Sequence, residues 1–319
     1  MNMFIRKLVK SGLASSTIAL PKDWIDKQKL KKGDMIYISE IEGGGLLVTT
    51  EPKKDIVNEE HKNIDVDGKT DRILRREIVA SYLNNYQQIT LKGKNISRFA
   101  KIIKESAGNL VGMELIDEDS NKIVLRSYLH LTDSNPSQVL RRVDNIIRSM
   151  IVDTKIIPKD PNMVEIIRER DNSVNKFVFL LIRILKAATL NPNIARQLQL
   201  RPIDILYYWE MALHLEKLGD GVKRYARKVR DLTKNGKAPQ KMLDIIDEFY
   251  KSYELAMKCF YQKDIETGDV VSTGRDTLSR KCDEFIEEVN KVEAADFGGK
   301  IKALLSHLTE ITRFARYTA

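Results

Sequence analysis

The sequence predicts a multidomain α+β protein: an N-terminal β-β-α-β-β unit, a small α/β subdomain, and a C-terminal all-α part made of two three-helix bundles. Three observations lead there. Short apolar runs punctuated by Gly and Pro fill the first fifty residues, helix-period and strand-period runs alternate between Thr70 and Leu125, and helical periodicity continues almost unbroken from Pro136. The expected boundaries are 1–52, 53–133, 134–234 and 235–319, since 319 residues exceed one typical domain.

In the first unit, Phe4 to Val9 reads as a strand, Ser11-Gly12 as a turn and Thr17 to Leu20 as a second strand stopped by Pro21. Pro21 then opens a short helix with Asp23 in its first turn and Trp24 and Ile25 as apolar contacts. Lys31-Lys32-Gly33-Asp34 makes a turn. Met35 to Ile41 and Leu46 to Thr50 form a hairpin around Gly43-Gly44-Gly45. About fifty residues is small for an independent core, so a partner copy is expected.

The run Arg6-Lys7-Leu8-Val9-Lys10-Ser11-Gly12, then Ser16 to Trp24, then Leu30-Lys31-Lys32-Gly33-Asp34 resembles the SpoVT/AbrB swapped-hairpin DNA-binding domain. The resemblance implies a homodimer through interleaved hairpins that lays a basic face on double-stranded DNA. It makes Arg6, Lys7, Lys10 and Lys22 the candidate phosphate contacts, with Ser15, Ser16 and Thr17 as hydrogen-bonding neighbours. The sequence departs from the bacterial pattern at Thr17, where arginine is common, and at Ile25 and Asp26, helix positions that often carry arginines.

Glu51 to His61 is charged and aperiodic, as a linker would be. Thr70 to Tyr86 reads as a helix opened by Thr70 or Asp71, Gln88 to Leu91 as a strand and Ser97 to Ala107 as a helix. Gly112 to Ile116 and Lys122 to Leu125 read as two strands. This subdomain shows no catalytic constellation; a connecting role is the expectation.

From Pro136 six long helices follow: Pro136 to Ile157, Pro161 to Leu190, Pro202 to Thr233, Pro239 to Phe260, Glu266 to Val292, and a last one after a break at Gly298-Gly299. Short loops make them two antiparallel sets of three. On the third helix, Leu206, Leu213 and Val222 place the apolar face, and Glu216 and Asp220 lie one turn apart beside it. Two such carboxylates repel unless a cation sits between them. His214 turns away from Glu216, and Tyr207, Tyr208 and Trp209 are core and interface aromatics. Arg224, Arg227, Lys228 and Arg230 favour the helix's C-terminal dipole. The last helix reaches Ala319 without a cap, so the native helix is expected to run on.

The two sets look like copies of one unit, and that layout resembles the PhoU family, regulators of phosphate uptake. Its most specific pieces are His214 to Asp220 and Glu169 to Asn175. The resemblance implies a divalent or trivalent metal ion, such as iron, zinc or magnesium, held in the first bundle by Asp171, Asn175, Glu216 and Asp220. Asn175 stands where the family has a carboxylate. In the second bundle two alignments put either Thr309 and Arg313 or Thr312 and Arg316 at the carboxylate positions. A guanidinium cannot ligate a metal, so that bundle is expected to hold none and to pair the Arg with Asp283 instead.

A net charge of +9 favours a polyanionic partner. Only Cys259 and Cys282 occur, in no CxxC pattern, which argues against disulfide scaffolds and thiolate zinc sites. No apolar run reaches membrane-spanning length, and Arg6, Lys7 and Lys10 crowd the region where a signal peptide would be apolar. A cytoplasmic protein without membrane insertion is expected. No P-loop, GxGxxG, GxSxG or HExxH motif points to an enzyme. The expectation is a homodimeric, DNA-binding transcriptional regulator linked to phosphate homeostasis. The alternative is an adaptor for a phosphate-transport or signalling protein, in which the N-terminal unit only dimerises.

Overall fold

The computed structural model describes residues 5–11, 15–41, 45–50, 61–234, 238–289 and 292–318. It divides into two compact units, 1–58 and 59–319.

In the first unit β1 (Val9–Ser11) and β2 (Ser15–Thr17) form an antiparallel hairpin with Val9 opposite Thr17. Helix α1 (Lys22–Lys27) starts after Pro21, and β3 (Tyr37–Ile41) pairs with β4 (Gly45–Thr49). The expected order holds, but the first hairpin is displaced from the expected strands. Residues 5–8 and 18–20 carry no ladder among the described residues. The Lys31 to Asp34 turn forms as expected: Asp34 accepts from the Lys31 amide at 2.7 Å and Gly33 takes φ +99°. The glycines at 43 and 44 lie outside the described residues.

The second unit begins with β5 (His61–Asp65), α2 (Asp71–Leu83), β6 (Gln88–Lys92), α3 (Ile96–Gly108), β7 (Met113–Glu118) and β8 (Lys122–Ser127). The sheet order is β5-β6-β8-β7, with β5 parallel to β6 and the remaining pairs antiparallel. Strand β5 was not expected. Only Ile64 of its five residues is buried, so an edge strand here has no period-2 apolar signal. Thr70 caps α2, its hydroxyl accepting from the Ile73 amide.

The helices are α4 (Pro136–Asp153), α5 (Met163–Leu190), the short α6 (Pro192–Gln197), α7 (Pro202–Thr233), α8 (Gln240–Gln262), α9 (Ile265–Val289) and α10 (Val292–Thr318). Helix α6 falls in an expected loop; Asn191 caps it and Pro192 opens it. Helices α4, α5 and α7 pack together, as do α8, α9 and α10, and α7 lies along α10. One apolar core runs through both sets. Leu206, expected on the apolar face of α7, is instead exposed, while Val222 carries the burial.

The expected break at Gly298-Gly299 is absent, because both residues lie inside α10. A Cβ on Gly298 would stand 2.8 Å from Ile286 Cδ1, so this glycine serves the approach of α10 to α9 rather than a turn. Helix α7 is opened on two sides. A Cβ on Gly219 would lie 3.2 Å from Val174 Cγ1 of α5, and one on Gly221 only 2.2 Å from Leu304 Cδ2 of α10.

The α/β layer has its own core and is fastened to α5 by Arg183, which is fully buried. Its Nε donates to Asn85 Oδ1 (3.1 Å), its Nη1 to Ser127 Oγ (3.0 Å), and its guanidinium lies 4.3 Å from the Tyr82 ring centroid. Burial lowers its pKa.

Gly221→Ala should lower stability by about 1 to 2 kcal/mol, as overpacking against Leu304 exceeds the helix-propensity gain. Gly299→Ala, with open space around it, should raise stability by about 0.5 to 1 kcal/mol. Urea denaturation of the two variants checks both signs.

Candidate functional site

Asp171 comes from the buried face of α5, and Glu216 and Asp220 from the face of α7 turned toward it. Gly219 leaves room for this approach: its Cβ position is 3.5 Å from Asp171 Oδ1. Between the carboxylates stands a cation from the chain itself. Lys223 Nζ donates to Asp171 Oδ2 at 2.5 Å and to Asp220 Oδ1 at 2.6 Å, and Arg224 Nη2 reaches Asp220 Oδ2 at 2.8 Å.

Burial sets the protonation balance. It pushes the Asp171 carboxyl up, and the ammonium of Lys223 offsets that only in part, because the Asp171 side chain is just 3% exposed. Lys223, at 19% exposure, loses less hydration. Burial pulls its pKa down, but its two carboxylate partners outweigh that and keep it charged. Asp220 is also disfavoured as an anion by burial, yet its bonds to Lys223 and Arg224 hold its carboxyl below the usual range. Glu216 is half-buried and has no ion pair among the described residues. Burial raises its pKa, and the negative charges of Asp220 and Asp171 add to this.

The structure therefore brings Asp171, Glu216 and Asp220 into one electrostatic neighbourhood, with Lys223 at its centre. Asn175 hydrogen-bonds to none of them among the described residues. No three His, Cys, Asp or Glu side chains among the described residues assemble as a metal-holding group. The donor set does not fit a metal ion while the ammonium fills the space between Asp171 and Asp220, since ammonium offers no lone pair and repels a cation. Lys223 was the residue the sequence reading missed. Its signal was present: three residues beyond Asp220 and seven beyond Glu216 is the same helical face.

In the second bundle no Arg pairs with Asp283 among the described residues. Lys302 takes Asp283, and Arg313 pairs instead with Glu310 at 2.9 Å, one turn back on its own helix. The Arg316 side chain lies outside the described residues. Thr312 is buried, and its hydroxyl donates to Thr309 O.

Where α7 meets α10, His214 and His307 approach to 3.4 Å between their Nδ1 atoms. Burial lowers the pKa of both, and Lys217 lowers each further.

In the N-terminal unit Arg6, Lys7, Lys10, Ser15, Ser16, Thr17 and Lys22 are all exposed. Lys10 stands opposite Ser16 in the hairpin. Two of the three hydroxyls donate within the hairpin: Ser15 to Ser11 O, and Thr17 to Val9 O at 3.4 Å.

No family model matches the sequence, and no curated protein matches it. Among solved structures the chain is similar to PhoU from Pseudomonas aeruginosa. The identity is 18% and the TM-score 0.41, over 58% of this chain and 92% of that one.

Lys223→Met should cost about 3 kcal/mol at pH 8, because it strands buried Asp171 without a counter-charge. The cost should shrink toward pH 5: a carboxyl with a raised folded pKa is destabilising while ionised and is relieved as pH falls through that pKa. Urea denaturation at the two pH values reads this. The same substitution removes the ammonium from between the carboxylates, so the variant should gain affinity for Mn²⁺ over the parent by calorimetry. The histidine pair works in the opposite direction. Folded pKa values below the unfolded value make the folded state bind fewer protons, so this contribution is lost as pH falls below about 6.5. His307→Gln should flatten the stability profile between about pH 7 and 5, which thermal melts across that window measure.

Proposed function

We propose that the chain is a non-enzymatic, dimeric adaptor linked to phosphate homeostasis. In this reading the helical part docks a phosphate-transport or signalling protein and the N-terminal unit joins two copies. The observation that carries the dimeric reading is the absence of any buried side chain among the described residues of the N-terminal unit. Seven large apolar side chains there are mostly exposed, among them Ile5 at 85%, Leu8 at 73%, Met35 at 75% and Leu46 at 63%. Burying seven such groups against a second copy is worth on the order of 10 kcal/mol before the costs of association. A single copy supplies none of it.

The adaptor reading of the helical part rests on its two packed sets of three helices and on the PhoU-like motifs from Glu169 to Asn175 and His214 to Asp220. The family implies a regulatory partner rather than a reaction. The metal implied by the same motifs finds no support in a site already filled by Lys223.

A second reading, a DNA-binding transcriptional regulator, is favoured by a different observation. Residues 5–34 hold eight Lys and Arg against three Asp, and Arg6, Lys7, Lys10 and Lys22 are all exposed.

Multi-angle light scattering should give a dimer for the full chain and a monomer for residues 59–319, which have their own cores. A monomeric full chain at about 10 μM would sink the dimeric reading. Fluorescence anisotropy with the chain's own upstream DNA and a scrambled duplex, at about 50 and 200 mM salt, separates the two readings. The adaptor should show no preference between the duplexes. A preference for the upstream duplex that persists at the higher salt would establish the regulator.

A further inference from the structure

A cavity of 170 Å³ lies where the start of α4, the start of α7 and the end of α8 meet. Three cations line it: Arg141 of α4, Arg201 at the N-cap of α7, and Lys263 at the C-cap of α8. The one carboxylate in its wall, Asp204, is already committed. Arg201 holds it with two bonds, Nε to Oδ2 at 2.9 Å and Nη2 to Oδ1 at 2.8 Å. Arg141 and Lys263 form no ion pair among the described residues, and Lys263 acts on Asp204 only at longer range, so the wall's three cations exceed its one carboxylate by two charges.

The fold brings both exposed side chains to the cavity. The Arg141 guanidinium stacks 4.1 Å from the Tyr261 ring centroid, which fixes its plane while leaving its N–H groups available at the rim. Lys263 takes a left-handed backbone, φ +57°, with its amide capping Cys259 O, so its side chain leaves the end of α8 in a set direction. Tyr208 and Phe260 complete the wall with low-dielectric surface, which strengthens the field inside. The volume is below the roughly 300 Å³ of pockets that hold drug-sized ligands, so the occupant is small.

We propose that this cavity binds a small phosphate dianion, free or as the head of a monoester, between Arg141 and Lys263. Two excess positive charges match two negative charges, and a guanidinium beside an ammonium offers the planar and the point-charge donors that phosphate oxygens accept. The choice of phosphate among oxyanions rests on the phosphate-linked reading above; the charge match does not.

Calorimetric titration of the full chain at constant ionic strength tests it, with inorganic phosphate in one arm and phenyl phosphate in the other. Saturable binding is expected, with Arg141→Gln and Lys263→Asn each weakening it about tenfold, the loss of one charge-assisted hydrogen bond. Asparagine tolerates the left-handed backbone at position 263. Lys251→Gln, at an exposed site elsewhere on α8, should leave binding unchanged. Tighter phenyl phosphate identifies a monoester as the ligand, and tighter inorganic phosphate the free ion. Absence of saturation below about 10 mM, or equal binding by all three variants, would overturn the assignment. Either result is independent of the light-scattering and anisotropy outcomes, so the cavity and the adaptor reading fail separately.

Discussion

The second unit depends on how closely two helices can approach α7. Gly219 and Gly221, two residues apart, point to different neighbours and leave out side chains that would meet Val174 of α5 and Leu304 of α10. Helix α5 can then bring Asp171 against Asp220, and α10 can set His307 against His214. Each of these polar contacts is downstream of a missing Cβ. A helix-interior glycine gives up about 1 kcal/mol of propensity, and here the return is a continuous core shared by both helical sets.

The carboxylate cluster follows the same logic of space and charge. A buried carboxylate needs a counter-charge, and the chain can supply it as a side chain or leave room for an ion. Here Lys223 is on the same helix as Asp220, three residues along, so its ammonium is local and always present. Its stem is long enough to reach across to α5, which turns an i,i+3 pair into a link between two helices. The positive charge of this link comes from the chain itself. Glu216 is half-buried without an ion pair among the described residues, and burial together with the charges of Asp220 and Asp171 raises its pKa.

Local signals in the sequence were sufficient wherever one residue type decides the geometry. Pro136 and Pro202 open α4 and α7, Thr70 caps α2, and the turn around Gly33 forms where its residues say it should. The shared face of Glu216 and Asp220 was legible from the helical period, and Asp171 beside them only from the family resemblance. What stayed hidden depends on tertiary neighbours. Strand β5 is a polar edge whose pairing with β6 lies far along the chain. Gly298 reads as a breaker until Ile286 is seen beside it. Arg183, a charged residue in a helix, gives no hint of complete burial, because the groups that receive it, Asn85 and Ser127, belong to the α/β layer. Lys223 was visible but unweighed, since a motif of ligands directs attention to acceptors and away from a donor on the same face.

The exposed apolar surface of the first unit has a consequence for regulation by abundance. When a segment obtains its interior only from another molecule, its ordered fraction follows mass action, and for like copies pairing scales with the square of concentration. Halving the amount of such a protein removes more than half of its ordered N-terminal units. Residues 59–319, with cores of their own, are free of that dependence. On the proposed dimeric reading, one polypeptide would carry a body whose order is independent of dose and an N-terminal unit whose order follows synthesis and dilution.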